Sequence, residues 1–132
     1  MKEPKWLTTR MVLALHEEAV GQFGGMPGVR DEALLESALS KPRHRFAYAK
    51  PTSLFDLAAA LCEGLVHHHP FADGNKRTGL LAARAFLYLN GWVFEPEERE
   101  EVDTLVALAT RQIGAEEMAA WFRRGSRRRA KR

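Results

Sequence analysis

The sequence predicts an all-α protein, a compact bundle of about six helices around a central buried helix. Three observations carry this. Apolar residues recur every three to four positions along most of the chain, the spacing that lines one face of a helix. Helix punctuation stands between these stretches at Gly24-Gly25, at Ser53 with Asp56, and at Asn90-Gly91. Only Trp92-Val93-Phe94 reads as extended. With 132 residues, 45% of them apolar, the chain can bury one core.

The first helix is expected from Thr9 to Phe23, where Met11, Val12, Leu15, Ala19 and Phe23 share a face and Gly24-Gly25 ends it. A glycine-rich turn then leads to a short helix from Asp31 to Ser40, with Leu34, Leu35, Ala38 and Leu39 inward and Pro42 just past its end. Residues 43–52 have no clear period and are expected as a loop. Ser53 is an N-cap with Asp56 three residues on, close to a capping box, for a helix that reaches His68 and buries Leu54, Leu57, Leu61, Cys62 and Leu65. A loop over His69–Gly74 precedes a helix from Asn75 to Leu89. Apolar on nearly every side, this helix is expected to be the central one. Glu97–Arg111 and Ala115–Arg124 complete the bundle, with Val102, Leu105, Val106, Ala109, Met118, Trp121 and Phe122 facing in.

The formal net charge of +3 divides unevenly. Seven basic residues and no acid follow from Arg123, leaving 13 basic against 17 acidic residues in positions 1–122. Residues 1–122 therefore read as one mildly acidic domain, and 123–132 as a basic, flexible C-terminal tail. Such a tail can touch nucleic acid, but a solvated terminus is the simpler expectation. No apolar run reaches the roughly 20 residues that span a bilayer, and the N-terminus has no signal-peptide core, so a cytoplasmic protein is expected. The single cysteine, Cys62, suits a reducing compartment.

Residues 69–78, His-Pro-Phe-Ala-Asp-Gly-Asn-Lys-Arg-Thr, concentrate the chemistry. Histidine titrates near neutrality as a residue type, so His69 is the candidate general base. Phe71 is placed to turn inward and anchor the loop. Asp73, the only acid in the run, is the candidate ligand for a hard cation such as Mg²⁺. Gly74 permits backbone conformations in which successive N–H groups face an anion. Asn75 can hydrogen-bond a phosphate oxygen or fix the loop, while Lys76 and Arg77 supply cations for phosphate. The dipole of the following helix adds to the same field. By composition alone the run also fits a turn before a polar helix start, and the two readings stay open at this point. His67-His68-His69 invites a metal site, but adjacent histidines on a helix diverge and no zinc-ligand spacing accompanies them.

This run resembles the catalytic loop of the Fic/Doc superfamily, specifically that of the Doc (death-on-curing) toxins. Fic proteins carry His-x-Phe-x-Asp/Glu-Gly-Asn-Gly-Arg-x-x-Arg; here Lys76 replaces the second glycine and Leu80 the second arginine, both as in Doc. Ala14-Leu15-His16, Gly24-Gly25-Met26-Pro27-Gly28 and Tyr88-Leu89-Asn90-Gly91 extend the likeness over residues 7–122. The resemblance implies a Fic-type helical fold and transfer from ATP with Mg²⁺ to a protein hydroxyl. For the Doc branch it implies a kinase acting on a threonine of elongation factor Tu, with the nucleotide reversed relative to AMP-transferring Fic enzymes. His69 would then be the base, Asp73 the metal ligand, and Gly74, Asn75, Lys76 and Arg77 the phosphate cradle over Phe71. Doc-like proteins can carry an arginine two residues before the motif histidine, where this chain has His67.

A built-in Fic inhibitor carries Ser/Thr-x-x-x-Glu-Gly/Asn. The nearest string, Ala59 with Glu63-Gly64, lacks the hydroxyl. A separate Phd-like antitoxin is therefore expected, docking a helix in an apolar groove among the first helices with Phe46 or Tyr48 at its rim. Two alternatives stay open: a Fic-type AMP transferase, and a non-catalytic basic module binding nucleic acid through the tail.

Overall fold

The computed structural model describes residues 1–130. Its elements run α1 (Thr9–Phe23), α2 (Glu32–Tyr48), α3 (Leu54–His68), α4 (Asn75–Leu89), β1 (Trp92–Phe94), α5 (Glu98–Ala109), α6 (Ala115–Arg124) and β2 (Ser126–Arg128). The helical class and most boundaries are as the periodicity predicts. Thr8 caps α1 through the Met11 N–H, and Gly24 ends it at φ +83°. Ser53 and Asp56 form a full capping box at the start of α3.

Four expectations change. First, α2 does not stop before Pro42 but runs through it to Tyr48. A proline inside a helix costs about 3 kcal/mol, because it removes an N–H and crowds the preceding turn. Here Pro42 is buried, and Phe46 packs edge-on against Trp6 at 5.8 Å. Lys41 pairs with Glu63 at 2.9 Å, and Arg45 approaches Asp56 at 3.9 Å. Packing on both sides of the proline offsets the lost bond, so residues 43–48 are helix rather than loop.

Second, the most enveloped helix is α3, not α4. It packs against α2, α4, α5 and α6, and buries ten residues, from Phe55 to Val66. The line of α4 formed by Leu81, Ala85, Tyr88 and Leu89 instead borders an open groove. Gly79 sets the distance between α3 and α4: a Cβ there would sit 2.9 Å from Val66 Cγ2 and 3.2 Å from the Cys62 carbonyl oxygen.

Third, the inward faces of α1 and α5 are narrower than expected. Val12, His16 and Ala19 are buried on α1, whereas Met11 and Phe23 are exposed. On α5, Leu105 and Leu108 are buried while Val102 and Val106 are exposed.

Fourth, the basic segment expected as a flexible tail is partly built into the fold. Arg123 and Arg124 close α6. Ser126–Arg128 then pairs antiparallel with β1, in the register Trp92↔Arg128, Val93↔Arg127 and Phe94↔Ser126. Lys131 and Arg132 lie outside the described residues.

No helix among the described residues is long and apolar enough to cross a membrane.

Candidate active site

The loop from His69 to Gly74 joins the two core helices, and its shape follows from three left-over backbone problems. At the end of α3, His69 takes the left-handed conformation (φ 51°, ψ 54°), which turns the chain out of the helix. The freed carbonyls of His68 and His69 accept from Arg30, at 3.1 and 2.8 Å. Pro70 C=O accepts from the Arg30 and Asp31 N–H groups, and Ala72 N–H donates to Gly28 C=O. Val29 faces Phe71 across an antiparallel bridge. The glycine-rich turn after α1 thus forms a short strand-like strip along the loop.

Phe71 is buried as expected, and its ring stacks on that of His16 at 3.8 Å. Burial of such a ring stabilises by roughly 1.5–3 kcal/mol. His16 Nε2 lies 2.8 Å from the Asp73 carbonyl oxygen, so that nitrogen carries the proton and donates. Asn75, also buried, spends its amide on the loop: Oδ1 accepts from Phe71 N–H and Nδ2 donates to Phe71 C=O, both at 3.0 Å. Of the two roles the sequence leaves open for Asn75, the structure displays the brace. Its side chain keeps one N–H for a phosphate oxygen, beside the backbone N–H.

Gly74 stands before α4 at φ +76°, ψ 18°, and no side chain caps the helix. Among the described residues, the N–H groups of Asn75, Lys76 and Arg77 have no acceptor, since the first helical bond is Thr78 N–H to Gly74 C=O. Left-handed glycine followed by open helix N–H groups is an anion cradle. A cavity of about 290 Å³ opens there, walled by Asp73, Gly74, Lys76 and Arg77 on one side and Val102 and Val106 on the other. That volume lies near the lower end for small-ligand pockets, roughly 300 Å³. Exposure of the two valines on α5 is thus explained: they line this cleft.

The charged groups are held differently. Arg77 stacks over Phe23 at 4.4 Å and approaches Glu101 at 3.8 Å, and Glu101 also takes Arg84 at 3.0 Å. Lys76 is exposed. Asp73 is exposed at the cleft, with Oδ2 accepting from Met26 N–H at 3.2 Å. No cluster of three metal-ligating side chains exists among the described residues. A lone carboxylate beside an anion cradle suits a hard cation that takes its other ligands from phosphate and water.

His69 is exposed at the mouth of the loop and is not part of the cleft wall. His67 is not free: Nε2 donates to Leu108 C=O at 2.8 Å and Nδ1 accepts from Arg111 at 3.3 Å, tying α3 to α5. Leu80, at the position of the second Fic arginine, is fully buried. Glu63, in the string nearest to a Fic inhibitor, is paired with Lys41 on α2. From sequence no site role attaches to His16, Phe23, Arg30 or Glu101: His16 stands out only in the Ala14-Leu15-His16 likeness and as a polar residue in line with Val12 and Ala19, and Phe23 only as an expected core residue of α1.

A family model described as the Fic/DOC family matches residues 6–87. The chain is 35% identical over 114 residues to the protein kinase doc of Escherichia phage P1, a match covering 86% of this chain and 89% of that protein. It is 38% identical over 105 residues to the toxin Doc of Mycolicibacterium smegmatis, covering 74% of this chain and 78% of that one.

Proposed function

This chain belongs to the Fic/DOC family, and from that membership we propose that it is a Doc-like toxin acting as an ATP-dependent protein kinase in the cytoplasm, with a hydroxyl of elongation factor Tu as acceptor. The observation that carries the chemistry is the uncapped N-terminus of α4 behind left-handed Gly74, flanked by Asp73, Lys76 and Arg77. These groups would bind the ATP polyphosphate, with Asp73 holding Mg²⁺. When bound, the cation neutralises phosphate charge.

His69 takes the proton of the acceptor hydroxyl as its oxygen bonds to the γ-phosphorus. The bond from that phosphorus to the bridging oxygen breaks, and ADP leaves. Two features favour γ- over α-transfer. Lys76 adds a charge where AMP-transferring Fic loops have glycine, and buried Leu80 supplies no second arginine. The pocket therefore differs in charge and shape from one built for the opposite nucleotide pose.

A separate antitoxin completes the system: the string nearest a built-in inhibitor has Ala59 in place of its hydroxyl, and Glu63 faces Lys41 and does not line the cleft. Phe46 is packed on Trp6, while Tyr48 is exposed beside His44 at the rim of a separate hollow, so of the two expected rim residues only Tyr48 is open to a receptor. We take as the antitoxin receptor the more apolar groove of about 590 Å³ between α1 and α4.

The test is protein synthesis in a bacterial extract supplied with ATP. Arrest that needs His69 supports a kinase toxin. Arrest by His69→Ala as strong as by the native chain would refute it.

A further inference from the structure

The groove between α1 and α4 has two charged ends of opposite sign, and the C-terminal strand makes one of them. Leu7 just before α1 and Met11 and Leu15 on it face Leu81, Ala85 and Leu89 on α4. The two helices run in opposite directions along it, because Lys5 is hydrogen-bonded to Asn90 at one end and His16 reaches Asp73 at the other. From Leu7 to Glu18 is about three turns, roughly 16 Å at 1.5 Å per residue. A single helix of that length fits.

Residues opposite one another in an antiparallel pair point to the same face. Val93, which borders the groove, pairs with Arg127, and Arg129 two residues on falls on the same face as Arg127. Arg129 stacks over Tyr88, itself in the groove wall, at 4.7 Å, and its N–H is held by Gly91 C=O. Among the described residues Arg129 has no carboxylate partner, while Arg127 shares Glu95 at 2.7 Å. At the far end the wall carries Glu18, while Arg84, between the two ends, is paired with Glu101.

Resting on the groove as the antitoxin receptor, we propose that strand β2 is a charge clamp. The groove takes an amphipathic helix whose acidic C-terminal turn lies against Arg127 and Arg129. The partner's N-terminal turn then meets Glu18, so both ends complement the partner's dipole and fix its direction. An apolar groove alone would accept a helix either way round; the basic strand selects both partner and orientation.

The test uses the isotope-labelled full chain and two stapled peptides of about three turns with the same apolar stripe, one ending in three glutamates and the other in three glutamines. Binding is read from the amide shifts of Leu81, Ala85 and Leu89. The glutamate peptide is expected to bind about tenfold tighter at low salt, with the preference fading at high salt. Arg127→Gln with Arg129→Gln should erase that preference but leave binding of the glutamine peptide unchanged. The pairing of β2 is through backbone, so the doubly substituted chain keeps its fold, and Arg129→Lys should restore part of the preference. Equal binding of both peptides by the native chain would overturn the clamp and leave the groove standing. No shift with either peptide would remove the groove and the clamp with it. Tight binding of a short DNA duplex, lost in the same variant, with no peptide preference, would assign the strand to nucleic acid instead.

Discussion

Replacing Asn75 with alanine separates a brace from a ligand. The native amide satisfies both backbone groups of Phe71 in a buried place, each at 3.0 Å. Alanine leaves Phe71 N–H and C=O without partners, at about 1–3 kcal/mol for each group that water cannot reach. Some relaxation is expected because the loop is short, so the loss should be roughly 2–4 kcal/mol. At a urea slope of about 2 kcal/mol per molar, the unfolding midpoint falls by about 1–2 M. Asn75→Asp sharpens the test: its carboxylate can still accept from Phe71 N–H but confronts Phe71 C=O, so it should rescue only part of the loss. Urea unfolding followed by circular dichroism reads both variants. A loss below about 0.5 kcal/mol for alanine, together with a large fall in ATP affinity, would refute the bracing role and return Asn75 to the phosphate ligands.

Three other outcomes are expected. Gly79→Ala brings a methyl to 2.9 Å from Val66 Cγ2 and 3.2 Å from a backbone carbonyl, so overpacking should cost about 1–3 kcal/mol by thermal unfolding; an unchanged midpoint would mean that α3 and α4 are less tightly apposed. Glu101→Gln frees Arg77 and Arg84, and calorimetric ATP affinity should fall by about two- to fivefold, the scale of a partly exposed ion pair; unaltered affinity would remove Glu101 as the group that orients Arg77. Burial pushes the Cys62 thiol up from the ordinary 9.0 to about 12, with Glu63 adding to the shift. The folded state therefore holds this proton more tightly than the unfolded one, so its contribution to stability is present below pH 9 and lost from there toward pH 12. Native protein at pH 8 should resist maleimide and react once unfolded; rapid labelling of folded protein would contradict the burial.

The elements legible in the sequence were those whose local chemistry and packing agree. Ser53 with Asp56 fixed the start of α3, and glycine after α1 and α4 fixed their ends, because caps act within one turn. Pro42 misled because its cost is local, whereas the contacts that offset it, Phe46 on Trp6 and Lys41 on Glu63, come from residues far away in sequence. Val102 and Val106 misled because an apolar residue at helical spacing marks a cleft wall as readily as a core. The motif itself was fully legible, but its supports were not. Glu101 lies in an acidic run, Glu97–Glu101, that looks solvated, and only tertiary structure picks the member that meets Arg77. The basic run at the C-terminus reads as solvated for the same reason, since its pairing partner lies more than thirty residues earlier.

Phosphate transfer is the most direct point of attack. Purified protein, Mg²⁺ and elongation factor Tu would be incubated with ATP labelled in parallel at the α- or the γ-phosphate, with His69→Ala alongside. Label carried to the factor from the γ-position alone, and lost in His69→Ala, is the predicted result. Label from the α-position would make the chain an AMP transferase and contradict the argument from Lys76 and Leu80, while no label from either would remove elongation factor Tu as the acceptor.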